Sequence, residues 1–319
     1  MSWSRARARL EPFLPALRVA RFVLAVVLVA AMLVIAVRYV PFGSLTWWLL
    51  APALAGALLW WTLLARGWAI LASGHAARED MGMWCRTQVL RYLPGGIWAP
   101  TSRVVLVGGS AVDRVATVAA ENIVSLVAAL ALGGAALALG GSSPVWVLLV
   151  AALLIPPVGL RVAGARTRLD RSRTWRATGN ALVAFVGYLA AAVLVQAAVS
   201  GWHEPLLVAG AAGIAWAFGL VVVFLPGGLG ARELAYAGLL AASFPHADLA
   251  AAAVVMRALT IVAELMILVV LGRPAPDGLE APPGAGEQAS GSRSVGEESA
   301  ARRGSDGHLT ALGHKVPGS

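Results

Sequence analysis

Two stretches of this sequence repeat one arrangement of charge inside apolar surroundings. Arg114-Val-Ala-Thr-Val-Ala-Ala-Glu121 and Arg257-Ala-Leu-Thr-Ile-Val-Ala-Glu264 agree at Arg, Thr, Ala and Glu. The spacing puts each Arg and Glu on one helix face, two turns and about 10 Å apart, too far for a direct pair within the helix. Their partners must lie on other segments or on a ligand. Ionisable groups in apolar segments are costly and face a bundle interior or a water-filled cavity, which favours a polar substrate path. A charge network locking two repeats together is the structural alternative, and Arg114, near its segment's end, can snorkel. The chemistry on offer is binding: guanidinium to phosphate or carboxylate, carboxylate to a cation.

Each octapeptide follows a break in the hydrophobic pattern. The first break is Pro94, Gly95 and Gly96 within Tyr92-Leu-Pro-Gly-Gly-Ile-Trp98, followed by Arg103; the second is Pro226, Gly227 and Gly228, followed by Arg232 and Glu233. Proline removes a ladder donor and paired glycines accept most backbone angles, so helices end here. Irregular backbone at membrane depth survives only when packed in protein or lining a polar cavity. The free N–H groups of the helices that restart suit an anionic headgroup, and Arg103 and Arg232 would add charge-assisted bonds to phosphate. Substrate contacts are therefore expected at Arg103, Glu121, Arg232, Glu233, Arg257 and Glu264.

The elements that would position these groups are membrane helices. Of 319 residues, 59% are hydrophobic and 13% charged, and mean hydropathy is +0.77. Apolar runs of spanning length recur along the chain, so the expected class is an all-α polytopic membrane protein. The net charge of +9 resides mainly in arginines between spans, where the positive-inside rule accounts for it without a nucleic-acid partner. The single Cys85 excludes a disulfide framework, and no His/Glu grouping has metal-site spacing. Walker, Gly-x-Ser-x-Gly and dinucleotide fingerprints are missing, so no cofactor and no catalytic residue are expected.

Residues 1–18, with Arg5, Arg7, Arg9 and Arg18, form a basic arm expected on the cytoplasmic side. Spans are predicted over 22–40, 45–64, 115–139, 145–160, 177–199, 206–225 and 249–271; the first, long and without a small-residue cleavage site, remains as a signal anchor. Trp47, Trp48, Trp60 and Trp61 read as an aromatic belt at the two ends of the second span. Residues 66–92 read as a cytoplasmic connection with an interfacial helix, and 97–107 and 231–244 as re-entrant half-helices. The total is about seven or eight crossings, with two Pro-Gly-Gly elements in an internal repeat. The six arginines between Arg161 and Arg176 mark a cytoplasmic loop dividing repeat halves of about 66–160 and 177–272. The membrane domain covers 19–272, and 273–319, rich in Pro, Gly, Ser and charge, is expected to be disordered.

At these motifs the chain resembles the flippase-like transmembrane domain of lysylphosphatidylglycerol synthases and its stand-alone relatives. The resemblance rests on Tyr92-Leu-Pro-Gly-Gly-Ile-Trp98 with Arg103, the helix bearing Glu121, and Pro226-Gly-Gly-Leu-Gly-Ala-Arg-Glu233, and it covers about residues 20–272. It implies a bacterial cytoplasmic-membrane protein that moves a lipid between leaflets: an anionic or aminoacylated phospholipid, or a polyprenyl-linked precursor. The short tail leaves no room for a soluble synthase domain, so no synthesis of lysylphosphatidylglycerol is expected. Two other readings stand beside this one. The first is a non-transporting membrane partner that recruits a cytoplasmic glycosyltransferase or lipid-modifying enzyme through 161–176. The second is an intramembrane enzyme using Glu121 or Glu264 as general base.

Overall fold

A computed structural model describes residues 43–92, 98–107, 110–141, 169–222 and 230–272, with isolated positions 34, 143, 146, 148–150 and 228. All lie in the first of two units of the chain, Met1–Pro274. The predicted basic arm, the 22–40 span, most of the 145–160 span, residues 161–168, most of both Pro-Gly-Gly elements and the tail fall outside the described residues.

The described residues are all-helical. Eight α-helices follow in order: α1 Leu50–Ser73, α2 Arg78–Gln88, α3 Trp98–Leu106, α4 Ala111–Leu139, α5 Arg171–Ser200, α6 Pro205–Val221, α7 Ala231–Leu240 and α8 His246–Leu271. Short 3-10 turns, Trp47–Leu49 and Val89–Tyr92, extend α1 at its start and α2 at its end. Four stretches are long and apolar enough to cross a membrane: Trp47–Ser73, Ala111–Leu139, Arg171–Ser200 and His246–Leu271. The 17-residue α6 is about 25 Å long, slightly less than a hydrocarbon core.

Local chemistry sets the helix ends. Ser110 Oγ accepts from Asp113 N at 3.1 Å to start α4, and Asp170 Oδ1 accepts from Arg173 N at 2.7 Å to start α5. Pro205 opens α6 at a position where its missing N–H costs nothing. Gly74 closes α1 with φ of 87°, a left-handed cap natural to glycine.

Contacts at the helix ends also fix helix directions. Arg176 Nη2 donates to Gly74 O at 2.8 Å, so α1 ends where α5 begins; Thr46 N donates to Ala198 O at 2.9 Å, so α1 begins where α5 ends. On that first side, Arg78 and Arg86 of α2 donate to Val270 O and Gly272 O, each at 3.1 Å, which caps the end of α8 with cations. Gly140, after α4, packs against Leu206 and Leu207 at the start of α6, on the opposite side. Helices α4 and α5 therefore run one way, and α1, α6 and α8 the other. The two octapeptides cross the bundle in opposite directions. The chain at Gly272 lies on the arginine-rich side.

Helices approach closely through small residues. A Cβ at Gly56 of α1 would lie 2.6 Å from Gly187 O of α5, and one at Gly187 would lie 2.8 Å from Gly56 O. The α4–α6 contact is built the same way, with Gly133 against Gly210 and Gly213. Two sequence expectations shift. The second span continues to Ser73, so 66–73 belong to a membrane helix rather than to the connection. Trp60 and Trp61 fall mid-helix, each 2% exposed, and pack with Trp84, Phe185, Tyr188 and Trp216 in the core; only Trp47 and Trp48, 55% and 69% exposed, have belt-like exposure.

The glycine contact yields a direct test. Gly56→Ala is expected to destabilise the protein by about 1–3 kcal/mol, the usual cost of overpacking. Gly179→Ala, where an added Cβ meets nothing within 4 Å, is expected to be neutral or mildly stabilising. Thermal unfolding of the two variants in detergent checks this; equal midpoints would refute the close packing.

Candidate functional site

The two octapeptide glutamates are both buried, and their partners come from the segment between α1 and α4. Glu121, about 15 Å along α4, receives Arg103 Nη1 of α3 on both carboxylate oxygens. Trp84 Nε1 of α2 donates to Glu121 Oε1 at 2.6 Å. The pair is deeply buried, with side chains 4% exposed for Arg103 and 11% for Glu121. The Arg103 guanidinium lies 5.3 Å from the Trp68 ring and 6.0 Å from that of Trp84, a cation–π environment that replaces lost hydration.

Glu264, on α8, is held by residues far away in the sequence, at the end of the 3-10 turn that follows α2. Arg91 Nη2 and Tyr92 OH donate to its Oε2 at 2.6 and 2.7 Å, and Arg91 Nη2 also donates to Tyr92 OH at 2.8 Å. Arg91 stacks 4.5 Å from the Trp61 ring, and Trp61 Nε1 donates to Thr260 O of α8 at 3.2 Å. The Trp61 and Trp84 rings, 5.3 Å apart, connect this cluster to that around Glu121. Arg257 is buried, with its guanidinium 5.9 Å from the Tyr92 ring. Arg114 is half-buried, and its Nε has no hydrogen-bond acceptor among the described residues.

Arg232 and Glu233 take different roles at the start of α7. Glu233 Oε2 accepts from Gly230 N at 2.8 Å, so this carboxylate caps its own helix and occupies the place expected for an anionic ligand. Arg232 points away, 5.2 Å from the Trp216 ring, with its Nε sealed and unbonded. Of the two Pro-Gly-Gly elements only Gly228 is described, at φ of 69°, a left-handed conformation suited to glycine.

Two cavities meet at Arg232. The larger, about 420 Å³, has charged lining residues Arg91, Arg103, Arg232 and Glu121, and walls that include Trp60, Trp61, Trp84 and Trp216. Its lining also includes two exposed apolar residues, Ile123 of α4, 41% exposed, and Val221 of α6, 64% exposed. The smaller, about 60 Å³, is lined by Arg232, Glu233, Arg257, Tyr188 and Tyr236 among others. No family model matches the chain, and no curated protein or solved structure does.

Sequence reasoning did not select Arg91, Tyr92, Trp84 or Trp216 as site residues. Arg91 and Tyr92 were detectable as polar residues just ahead of Pro94; Trp84 was detectable as a tryptophan within the polar 78–88 helix. Trp216 had no local signal in an apolar run. In the 161–176 segment, the described Arg173 and Arg176 serve local structure: Arg173 pairs with Asp170, and Arg176 caps α1.

A buried ion pair is strongly destabilised by loss of one member. Arg103→Leu is expected to cost about 3–5 kcal/mol, because Glu121 is left charged and buried with only Trp84. Arg103→Leu with Glu121→Leu should recover most of the loss. Unfolding midpoints of the single and double variants measure this coupling; additive losses would refute it.

Proposed function

We propose that this chain is a flippase-like lipid translocase of the bacterial cytoplasmic membrane, moving a phospholipid or lipid-linked precursor between leaflets. The observation that carries the reading is the cavity of about 420 Å³, with three arginines and tryptophan walls, inside a bundle of membrane-length helices. Ligand sites of this size are concave, mostly apolar and provided with a few convergent polar groups. Exposed Ile123 and Val221 in its lining suit a headgroup that enters sideways while its chains stay in lipid.

The finer architecture belongs to the same proposal. The 9-residue α3, about 14 Å long, is a re-entrant half-helix, because α1 ends and α4 begins on the same side. The 10-residue α7 runs back along α6, with Ser243 bonded to Glu204 at the start of α6, so it forms the short helical part of a crossing, in a bundle of about eight. The arginine-rich side carrying Gly74, Arg176 and Gly272 is cytoplasmic by the positive-inside rule. The opposed directions of the octapeptides favour inverted repeats, the arrangement in which alternating access works by rocking one half against the other.

In this mechanism the headgroup phosphate enters beside Arg103 and Arg232. Arg91–Glu264 joins the two halves, and its rearrangement accompanies exposure of the cavity to the other leaflet. No covalent step is required, and Glu121, with both oxygens bonded by Arg103, is poorly placed to act as a general base. The local engagement of Arg173 and Arg176 gives no preference to recruitment of a cytoplasmic enzyme.

Glu264→Gln keeps the shape but removes the charge that holds Arg91. It is expected to abolish lipid translocation in reconstituted vesicles while the protein still inserts and elutes as a folded species. Unchanged translocation by the folded variant would contradict the mechanism.

A further inference from the structure

The larger cavity's charges do not balance internally. Arg103 is matched by Glu121, and Arg91 by Glu264, which itself lines neither cavity. Arg232 is left over. It makes no hydrogen bond or ion pair among the described residues, and its Nε is sealed without an acceptor. Its position is nevertheless built. An added Cβ at Gly219 of α6 would lie 2.7 Å from Arg232 Nε, and one at Gly228 would lie 3.2 Å from it. Two glycines thus clear a channel for this side chain, and Trp216 supplies an aromatic face to its guanidinium. Arg232 also lines both cavities. Glu121 is the one acidic residue among the described lining of the larger cavity, and its oxygens are already occupied.

We infer that the larger cavity takes a singly charged phosphodiester on Arg232, and that it disfavours a cationic aminoacylated headgroup. The inference rests on the translocase reading and narrows its substrate class. One uncompensated guanidinium matches one phosphodiester charge and offers it charge-assisted bonds in a low-dielectric site. A lysyl or other ammonium group would add a positive charge beside Arg91, Arg103 and Arg232. It would find no free carboxylate there unless Arg103–Glu121 opened, so the large cavity selects by repulsion as well as attraction. Tryptophan walls suit the glycerol and upper acyl segments of a lipid better than a fully hydrated ion.

The test uses the full chain in phosphatidylcholine vesicles, with phosphatidylglycerol or lysylphosphatidylglycerol as minor components. Retained lipid is read by native mass spectrometry, and leaflet exchange by quenching of tail-labelled analogues. Wild type should retain phosphatidylglycerol at least about tenfold over the lysyl form; Arg232→Gln should lose that preference and Arg232→Lys keep part of it, as befits one charge-assisted bond. Gly219→Ala, which displaces Arg232 without removing its charge, should weaken retention as well. Preferential retention and exchange of the lysyl lipid would overturn the inference and leave the translocase reading intact. Arg232-dependent retention with no exchange of any lipid would uphold the site and sink translocation. Competition by soluble glycerol phosphate as strong as by the lipid would keep the phosphate site but assign it to a water-soluble ligand. Equal retention by wild type and a folded Arg232→Gln would refute the assignment.

Discussion

A carboxylate inside an apolar bundle must be neutralised or held by donors, and Glu121 is held by three bonds from outside its own helix. That requirement reaches far into the fold. Arg103 must come from α3, which places this 9-residue helix against α4; Trp84 must come from α2, which brings this helix within bonding distance of α4. Arg78 and Arg86 of the same α2 cap the end of α8, so one short amphipathic helix ties the Glu121 pair to the helix carrying Glu264. Removing any of these contacts leaves a charge or a row of carbonyls unpaired where water is scarce.

The two glutamates are held differently, although their octapeptides match. Glu121 is bound by residues near it in sequence, Trp84 and Arg103; Glu264 is bound by Arg91 and Tyr92, 173 and 172 positions away. A local pair stabilises its own neighbourhood, whereas in the proposed rocking mechanism the Arg91–Glu264 pair would sense the separation of the segments it joins. Its break costs little only if Arg91 and Glu264 meet water or a ligand as they part. The same asymmetry leaves Arg232 as the surplus charge at the meeting point of the cavities.

Much of this was legible in the residues themselves. Hydropathy located the long helices, and the seven-residue Arg/Glu spacing indicated partners outside each helix. Arg103 and Arg232 were marked by their places after the breaks. What the spacing could not supply was the identity of the partners, because side chains that are far apart in sequence meet only through tertiary packing. Arg91 looked like a flank and Trp84 like part of an interfacial helix. Trp60 and Trp61 were misread as a belt because, in a helix apolar all round, composition does not distinguish a lipid-facing ring from a buried one. Glu233 illustrates the opposite case: the acid expected to meet a ligand satisfies the N–H of Gly230 instead.

A headgroup can reach Arg103 and Arg232 only if these arginines face water inside the bundle rather than packed apolar matter. Ser125 lines the larger cavity, one turn beyond Glu121, and Val183 of α5 is 54% exposed on the outer face. The native Cys85 interferes little, since it is buried and its thiol is pushed up to about 12 by burial, and next by the nearby Glu264 charge. Membrane vesicles holding Ser125→Cys or Val183→Cys should be treated with a small anionic thiosulfonate or its cationic analogue. An aqueous, net positive cavity predicts modification of Ser125→Cys, faster by the anionic reagent, and no reaction at Val183→Cys. If Ser125→Cys is inert, or prefers the cationic reagent, the charged cavity at the centre of this account does not exist in the membrane.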